Sequence, residues 1–214
     1  MTVIAIDGPA ASGKSTVSRR LAQRLGFAYV NSGTMYRAVT WDLLQRGTDT
    51  ASAVVIEAAL ASTDVVCGIG KNRESFIRIN NSNPDEALRD RSVNRHVSLV
   101  SAVPAVRALI SSRLRALAQD CPLVMEGRDI GTAVFPETPY KFYLDASPEI
   151  RQQRREAEGG ADQIADRDKL DSSRKAAPLK IAPDARVVDT SHLTLDGVVD
   201  AILDLLRQSG IAPK

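Results

Sequence analysis

The stretch Val3-Ile4-Ala5-Ile6-Asp7-Gly8-Pro9-Ala10-Ala11-Ser12-Gly13-Lys14-Ser15-Thr16 decides the fold. Its first four residues form a short unbroken apolar run, which predicts a strand buried on both faces, as in a parallel sheet. From Gly8 to Ser15 it fits GxxxxGK[ST] at every defined position. Glycines at the two ends let the backbone turn tightly, with its N–H groups pointing inward. Those dipoles, with the start of the following helix, solvate phosphate oxygens. Lys14 then reaches the outer phosphates of a triphosphate, and the Ser15 hydroxyl offers an oxygen to a magnesium ion. Such a pattern arises by chance in on the order of one chain in a hundred of this length. The apolar run before it and the amphipathic segment after it are the context the mechanism demands.

Outward from the loop, Val17, Leu21 and Leu25 recur at helical spacing, and Gly26 supplies a stop. Phe27 to Val30 reads as the next strand. A helix capped by Asn31 or Ser32 then runs to near Gly47. Later strands are expected at Leu123 to Met125, Lys141 to Leu144 and Arg186 to Val188. A final helix carries the stripe Leu195, Val198, Val199, Ile202, Leu205 and Leu206. Strands alternating with helices predict an α/β fold, a parallel sheet of P-loop NTPase type with helices on both faces. The middle breaks the alternation. Asp64 to Ile69 and Ser75 to Ile79 read as a hairpin around Gly70-Lys71-Asn72, followed by helices near 93–102 and 104–119. The organisation expected is one domain: a core of 1–63, 92–155 and 175–214, an inserted β-rich subdomain at about 64–91, and a short lid at about 156–174. The lid is polar and carries Gly159-Gly160.

The chain has 214 residues, 43% of them hydrophobic and 25% charged, enough for a sizeable core without disulfides or metals. A net charge of +2 argues against a broad nucleic-acid-binding surface. Cys67 and Cys121 lack CxxC spacing, and the histidines are His96 and His192 alone, so a zinc site or disulfide scaffold is not expected. Neither a secretory signal nor a run of membrane-span length is read, and the expected home is the cytoplasm. No long apolar surface stripe is left over, which favours a monomer.

A regulatory GTPase would carry DxxG and [NT]KxD elements, and neither occurs. Arginines are instead placed after the loop, as a kinase needs in order to hold two phosphorylated substrates. Ser32-Gly33-Thr34-Met35-Tyr36-Arg37 opens the second helix, where an anion can meet the N-terminus. Glu126-Gly127-Arg128-Asp129 follows an apolar strand, at the edge where parallel sheets bind ligands. Asp145-Ala146-Ser147-Pro148-Glu149 starts a helix on which Arg151, Arg154 and Arg155 share a face. That face reads equally as a solvated one. Arg167, Asp171 and Arg174 align on a helix, either as a surface ion-pair ladder or as groups that close over substrates.

In order and spacing, IDGPAASGKST, NSGTMYRA, EGRDIGTAVFP, KFYLDAS and RDxxDSSRxxAPL resemble the bacterial cytidylate kinases, from Val3 to about Leu206. The resemblance implies reversible transfer of the γ-phosphoryl group of ATP to CMP or dCMP, with magnesium. The insert then corresponds to a monophosphate-binding subdomain. Gly8 to Thr16 would hold ATP. Ser32, Arg37, Arg128 and Arg174 match residues around the acceptor phosphate and sugar, and Arg167 and Asp171 a pair near that phosphate and ribose. Ser98, Arg107 and Asp129 match positions that read the cytosine edge. Arg151, Arg154 and Arg155 resemble lid-hinge arginines that neutralise the transferring group. Two features depart from the family pattern: Asn31 stands where many relatives have aspartate, and the lid is shorter. A kinase for another acceptor, such as UMP, AMP or a non-nucleotide, and a nucleotide-binding module without turnover are the alternative readings.

Overall fold

The computed structural model describes residues 2–157, 164–174 and 176–211, without the side chains of 164–167. The Arg167 side chain and the Gly-Gly of the predicted lid therefore lie outside what the structure describes. In chain order the core begins with β1 (Val3–Asp7), α1 (Lys14–Leu25), β2 (Ala28–Asn31), α2 (Ser32–Gln45) and α3 (Ala53–Leu60). A hairpin follows, β3 (Val65–Ile69) and β4 (Ser75–Ile79), then α4 (Arg91–Val100) and α5 (Pro104–Asp120). The chain returns to the sheet with β5 (Leu123–Gly127) and β6 (Lys141–Asp145). After α6 (Pro148–Ala157) and α7 (Ile164–Ser172) it ends with β7 (Arg186–Asp189) and α8 (Leu195–Gln208).

The main sheet is parallel throughout, in the order β2-β5-β1-β6-β7. Alternate side chains of β1 feed two cores. Val3 and Ala5 join Met35, Val39, Ile110 and Leu114, under α2 and α5. Ile4 and Ile6 join Val17, Leu21, Val199 and Ile202, under α1 and α8. Each fully buried Leu or Ile here contributes about 1.5–3 kcal/mol. α1 stops where Gly26, at φ 67°, closes it with an N–H bonded to the Ala22 and Gln23 carbonyls.

The sheet places the site through its order and register. The chain passes from β1 through α1 to β2, yet β5 lies between those strands. This leaves a crevice at their carboxyl ends. The pairings Asp7↔Gly127 and Asn31↔Glu126 bring those four residues to one edge.

Three local features differ from the sequence expectation. α3 was not anticipated: its Val-Val-Ile run reads as strand-like, but only Ile56 is buried, while Val54 is 77% exposed. The hairpin turn runs past the expected Gly70-Lys71-Asn72, with a positive φ at Arg73. On α8 Leu195 stays exposed, and Leu203 completes the buried stripe. The hairpin is tied to the sheet edge by a Tyr29 N–H to Arg73 carbonyl bond of 2.9 Å. Among the described residues no single helix is long and apolar enough to cross a membrane.

Candidate active site

Between β1 and α1 the chain makes a cradle of backbone. Gly8 leaves the strand at φ 151°, and a Cβ there would stand 2.1 Å from the Leu144 carbonyl oxygen. No other residue fits. Gly13 caps α1 in the left-handed region, at φ 87°. Ala11 is held there too, at φ 57°, at a cost of roughly 1–2 kcal/mol. The first-turn N–H groups of α1 are thereby aimed at the mouth of the loop. Lys14 folds back over it, donating to the Pro9 carbonyl at 2.5 Å and to Ser12 Oγ at 3.4 Å. Burial, and then the nearby Arg128 charge, pull the Lys14 ammonium down to about 7.

Behind the loop runs a polar chain of which the sequence named only Ser15 as a site residue. Ser15 Oγ donates to Glu126 Oε2 at 3.0 Å, and Tyr29 Oη to Glu126 Oε1 at 2.5 Å. Asn31 Nδ2 lies 3.4 Å from Tyr29 Oη, while Asn31 Oδ1 caps α2 through the Thr34 N–H at 3.2 Å. Burial and the Glu126 charge hold the Tyr29 phenol well above its ordinary value. The Ser15 hydroxyl and the Glu126 carboxylate are hard oxygen donors side by side, the donor chemistry magnesium takes. Among the described residues no group of three or more His, Cys, Asp and Glu could cage a metal. An ion that keeps its waters and leans on substrate phosphates fits such a sparse set. Glu126 was legible as the carboxyl end of a strand. Its partnership with Ser15 was not, because strand pairing is not written in the sequence.

Opposite the loop is a cleft of about 220 Å³. Its wall includes Lys14, Ser15, Ser32, Arg37, Ser98, Arg107, Arg128, Asp129, Arg155, Asp171 and Arg174, all of them predicted site residues. The side chains arrive already paired. Arg107 and Asp129 form a buried ion pair, with Arg107 Nη1 also 3.1 Å from the Ser101 carbonyl and its guanidinium 5.5 Å from the Tyr36 ring centre. Burial raises the Asp129 carboxyl and Arg107 pulls it back down. Arg128 bridges the two halves of the site, Nε to Asp171 Oδ2 at 2.9 Å and Nη1 to the Gly8 carbonyl at 3.0 Å. Asp171 also takes Arg174 and, at 3.4 Å, the Ser98 hydroxyl. Arg174 reaches Ser101 Oγ at 2.8 Å. Ser32 Oγ bonds the Glu126 carbonyl at 2.8 Å, and Arg37 bonds the Leu88 carbonyl at 2.9 Å and Asn94 Oδ1 at 2.7 Å.

The lid-side arginines lie on the rim rather than in the cleft, Arg155 excepted. Arg151 bonds the Ala146 and Ala10 carbonyls at 3.2 Å each and pairs with Asp168. Asp168 Oδ1 in turn accepts from the Ala10 N–H of the phosphate loop, at 3.0 Å. Arg154 is held by the Thr190 hydroxyl and carbonyl at 3.0 and 2.6 Å. Asp168, Ser101 and Tyr36 were not singled out from sequence. Their neighbours in the motifs were, and only the fold separates them.

The arrangement sets a triphosphate cradle against a pocket of paired cations and carboxylates. The chain is similar over nearly its whole length to known proteins. The family model for cytidylate kinase covers residues 4–208. A bifunctional pantoate ligase/cytidylate kinase of Synechococcus sp. (strain WH7803) is 44% identical over 217 residues, an alignment covering 96% of this chain and 44% of that protein. The chain thus spans less than half the length of that relative. A cytidylate kinase of Geobacillus kaustophilus is 39% identical over 216 residues, covering 96% of each chain. One of Nocardia farcinica is 42% identical, covering 96% of this chain and 94% of the other.

Proposed function

The chain belongs to the cytidylate kinase family, and from that premise we propose that it transfers the γ-phosphoryl group of ATP to CMP and dCMP. The observation that carries the reading is the cleft itself. Lys14 and Ser15 stand at one wall, and Arg107, Asp129, Arg128 and Arg174 at the other. Loop amides, Lys14 and the N-terminus of α1 hold the donor phosphates. Arg37, Arg128 and Arg174 hold the acceptor phosphate, with Ser32 beside them. Cytosine presents an amino donor and two acceptors, for which Asp129, Arg107 and Ser98 are the complementary set. Uracil would turn a carbonyl toward the Asp129 carboxylate, and such buried mismatches discriminate strongly.

Little covalent help is required of the protein. Phosphoryl transfer is mainly positioning and stabilisation of spreading negative charge. The acceptor oxygen is already ionised and needs no general base. Lys14 and Arg128 face the place where charge develops, and Arg151, Arg154 and Arg155 line the lid side. Magnesium, when bound beside Ser15 and Glu126, neutralises phosphate charge. We also assign residues 64–91 to support of the acceptor side, since Arg37 rests on the Leu88 carbonyl. Within the expected lid, Asp171 and Arg174 serve the acceptor side, and the family pattern adds Arg167. A cytoplasmic monomer completes the proposal, and gel filtration checks the second word.

The decisive experiment is formation of nucleoside diphosphate from ATP with a panel of CMP, dCMP, UMP and AMP. CDP and dCDP should dominate. Preferred turnover of UMP or AMP overturns the cytosine reading. No transfer to any acceptor, with ATP still bound, would make the chain a binding module.

A further inference from the structure

Asp7 ends β1 one residue before the phosphate loop, yet its carboxylate does not serve that loop. Oδ1 accepts from the Ile130 N–H at 2.8 Å and Oδ2 from the Gly131 N–H at 2.7 Å. These are the first two amides of a π-helical turn, Ile130–Val134, whose N-cap residue is Asp129. An N-cap aspartate ordinarily bonds amides of its own first turn. Asp129 makes no such bond, and its carboxylate pairs with Arg107 in the cleft instead. A residue from a neighbouring strand caps the turn in its place. The contact is close-packed: a Cβ on Gly131 would come within 3.1 Å of the Lys141 side chain and 3.4 Å of Asp7 Oδ2.

We propose that Asp7 is a positioning residue for base selection, because by capping the 130–134 turn from outside it leaves the Asp129 carboxylate free to face the base. The proposal rests on the cytosine reading given above. Its physical content is a competition. An N-cap side chain takes the amide of the second or third residue of its turn, and Asp7 already holds the second, that of Gly131, while Asp129 lines the cleft. The fold keeps Asp7 on the amides although the position is unfavourable for a charge. Burial outweighs the two N–H bonds and pushes its carboxyl up to about 6, with Asp129 adding to the rise and Lys14 opposing it. Packing alone would be better served by an apolar residue. A buried carboxylate spent wholly on two amides of another segment is explained by what those amides would otherwise take.

Asp7→Asn keeps the volume and removes one acceptor, setting an NH2 group against one of the two N–H donors. Asp129 can then swing back to cap its own turn. Thr138→Val is the control. Thr138 Oγ1 bonds the Val3 carbonyl at 2.5 Å, so its loss loosens the same segment from the same strand, away from the cleft. Steady-state constants for CMP, UMP and ATP are measured for the wild type and both variants, with melting temperatures. In Asp7→Asn we expect the CMP KM to rise about 10-fold and the CMP-over-UMP ratio of kcat/KM to fall about 10-fold, with the ATP KM moving less than about 2-fold. Thr138→Val lowers the melting temperature and leaves the ratio alone. An unchanged ratio in a folded Asp7→Asn, an equal loss in Thr138→Val, or an equal rise in the ATP KM overturns the proposal. If Asp7→Asn does not fold, Asp7→Ser is read the same way. If neither folds, the carboxylate is a structural group and the proposal falls. A wild type that does not prefer CMP refutes the cytosine reading itself, a result separate from any of these.

Discussion

From Gly8 to Ser15 the cleft is walled by backbone, and from Ser98 to Arg174 it is walled by paired side chains. The donor wall is contiguous in sequence and stands on two glycines and one lysine. The acceptor wall is gathered from α2, α4, α5, α7 and the end of β5, and its Arg107, Arg128 and Arg174 are already spent on Asp129 and Asp171. A backbone cradle concentrates its chemistry in the few side chains it has. A side-chain network spreads its chemistry, so each member is missed less for rate and more for selectivity.

The sharpest break in that contrast is Lys14→Ala. It removes the one cation of the donor wall and should lower kcat/KM for every acceptor alike, by about 10³-fold. Circular dichroism and melting should stay near wild type. Asp129→Asn comes next, on the other wall. It preserves volume and leaves Arg107 an amide oxygen in place of its countercharge, and it offers uracil a donor. We expect kcat/KM for CMP to drop about 10²-fold and UMP to gain relative to it. Equal losses for CMP and UMP would erase the distinction between the walls.

Glu126→Gln probes the seam where they meet. Half-maximal rate should require about 10-fold more magnesium, while a fluorescent ATP analogue in EDTA binds as before. A variant whose magnesium requirement is unmoved would detach Glu126 from the ion. The smallest effect belongs to Asn31→Asp. The new carboxylate still caps α2 and adds a charge near Glu126, so the magnesium requirement should fall by about 3-fold. A rise, or loss of the α2 cap seen as a lower melting temperature, would say that the added charge is repelled by Glu126 rather than used.

The same contrast explains what could be read from the chain. The donor wall is local, and its glycines, lysine and flanking apolar runs announce it without knowledge of the fold. The parallel sheet was equally legible, because fully buried strands such as Val3–Asp7 and Leu123–Gly127 are short apolar runs between helical stripes. The strand order was not, and with it went the Ser15–Glu126–Tyr29 chain, which exists only because β5 inserts between β1 and β2. Ser98 and Arg107 sit on helices whose patterns announce burial, not chemistry, so only motif resemblance found them. Asp7 was read only as the point where the first apolar run ends, since nothing local says that its carboxylate reaches Ile130 and Gly131. α3 was missed for another reason: tertiary packing of Ile56 and a Ser52 cap override the strand preference of its valines.

Asp168 sets an anion of the chain's own against the phosphate loop. With Oδ1 on the Ala10 amide and a second bond to Arg151, a carboxylate tethered to the lid occupies loop capacity that a triphosphate would use. A tethered group acts at high effective concentration. For the proposed ATP binding, the apparent affinity would be the intrinsic affinity multiplied by the fraction of time the Ala10 amide is unbonded, so an amide engaged about nine-tenths of the time would weaken it about tenfold. In the proposed activity a departing nucleoside diphosphate would leave the Ala10 amide to Asp168, so rebinding would compete with a carboxylate that the chain itself carries.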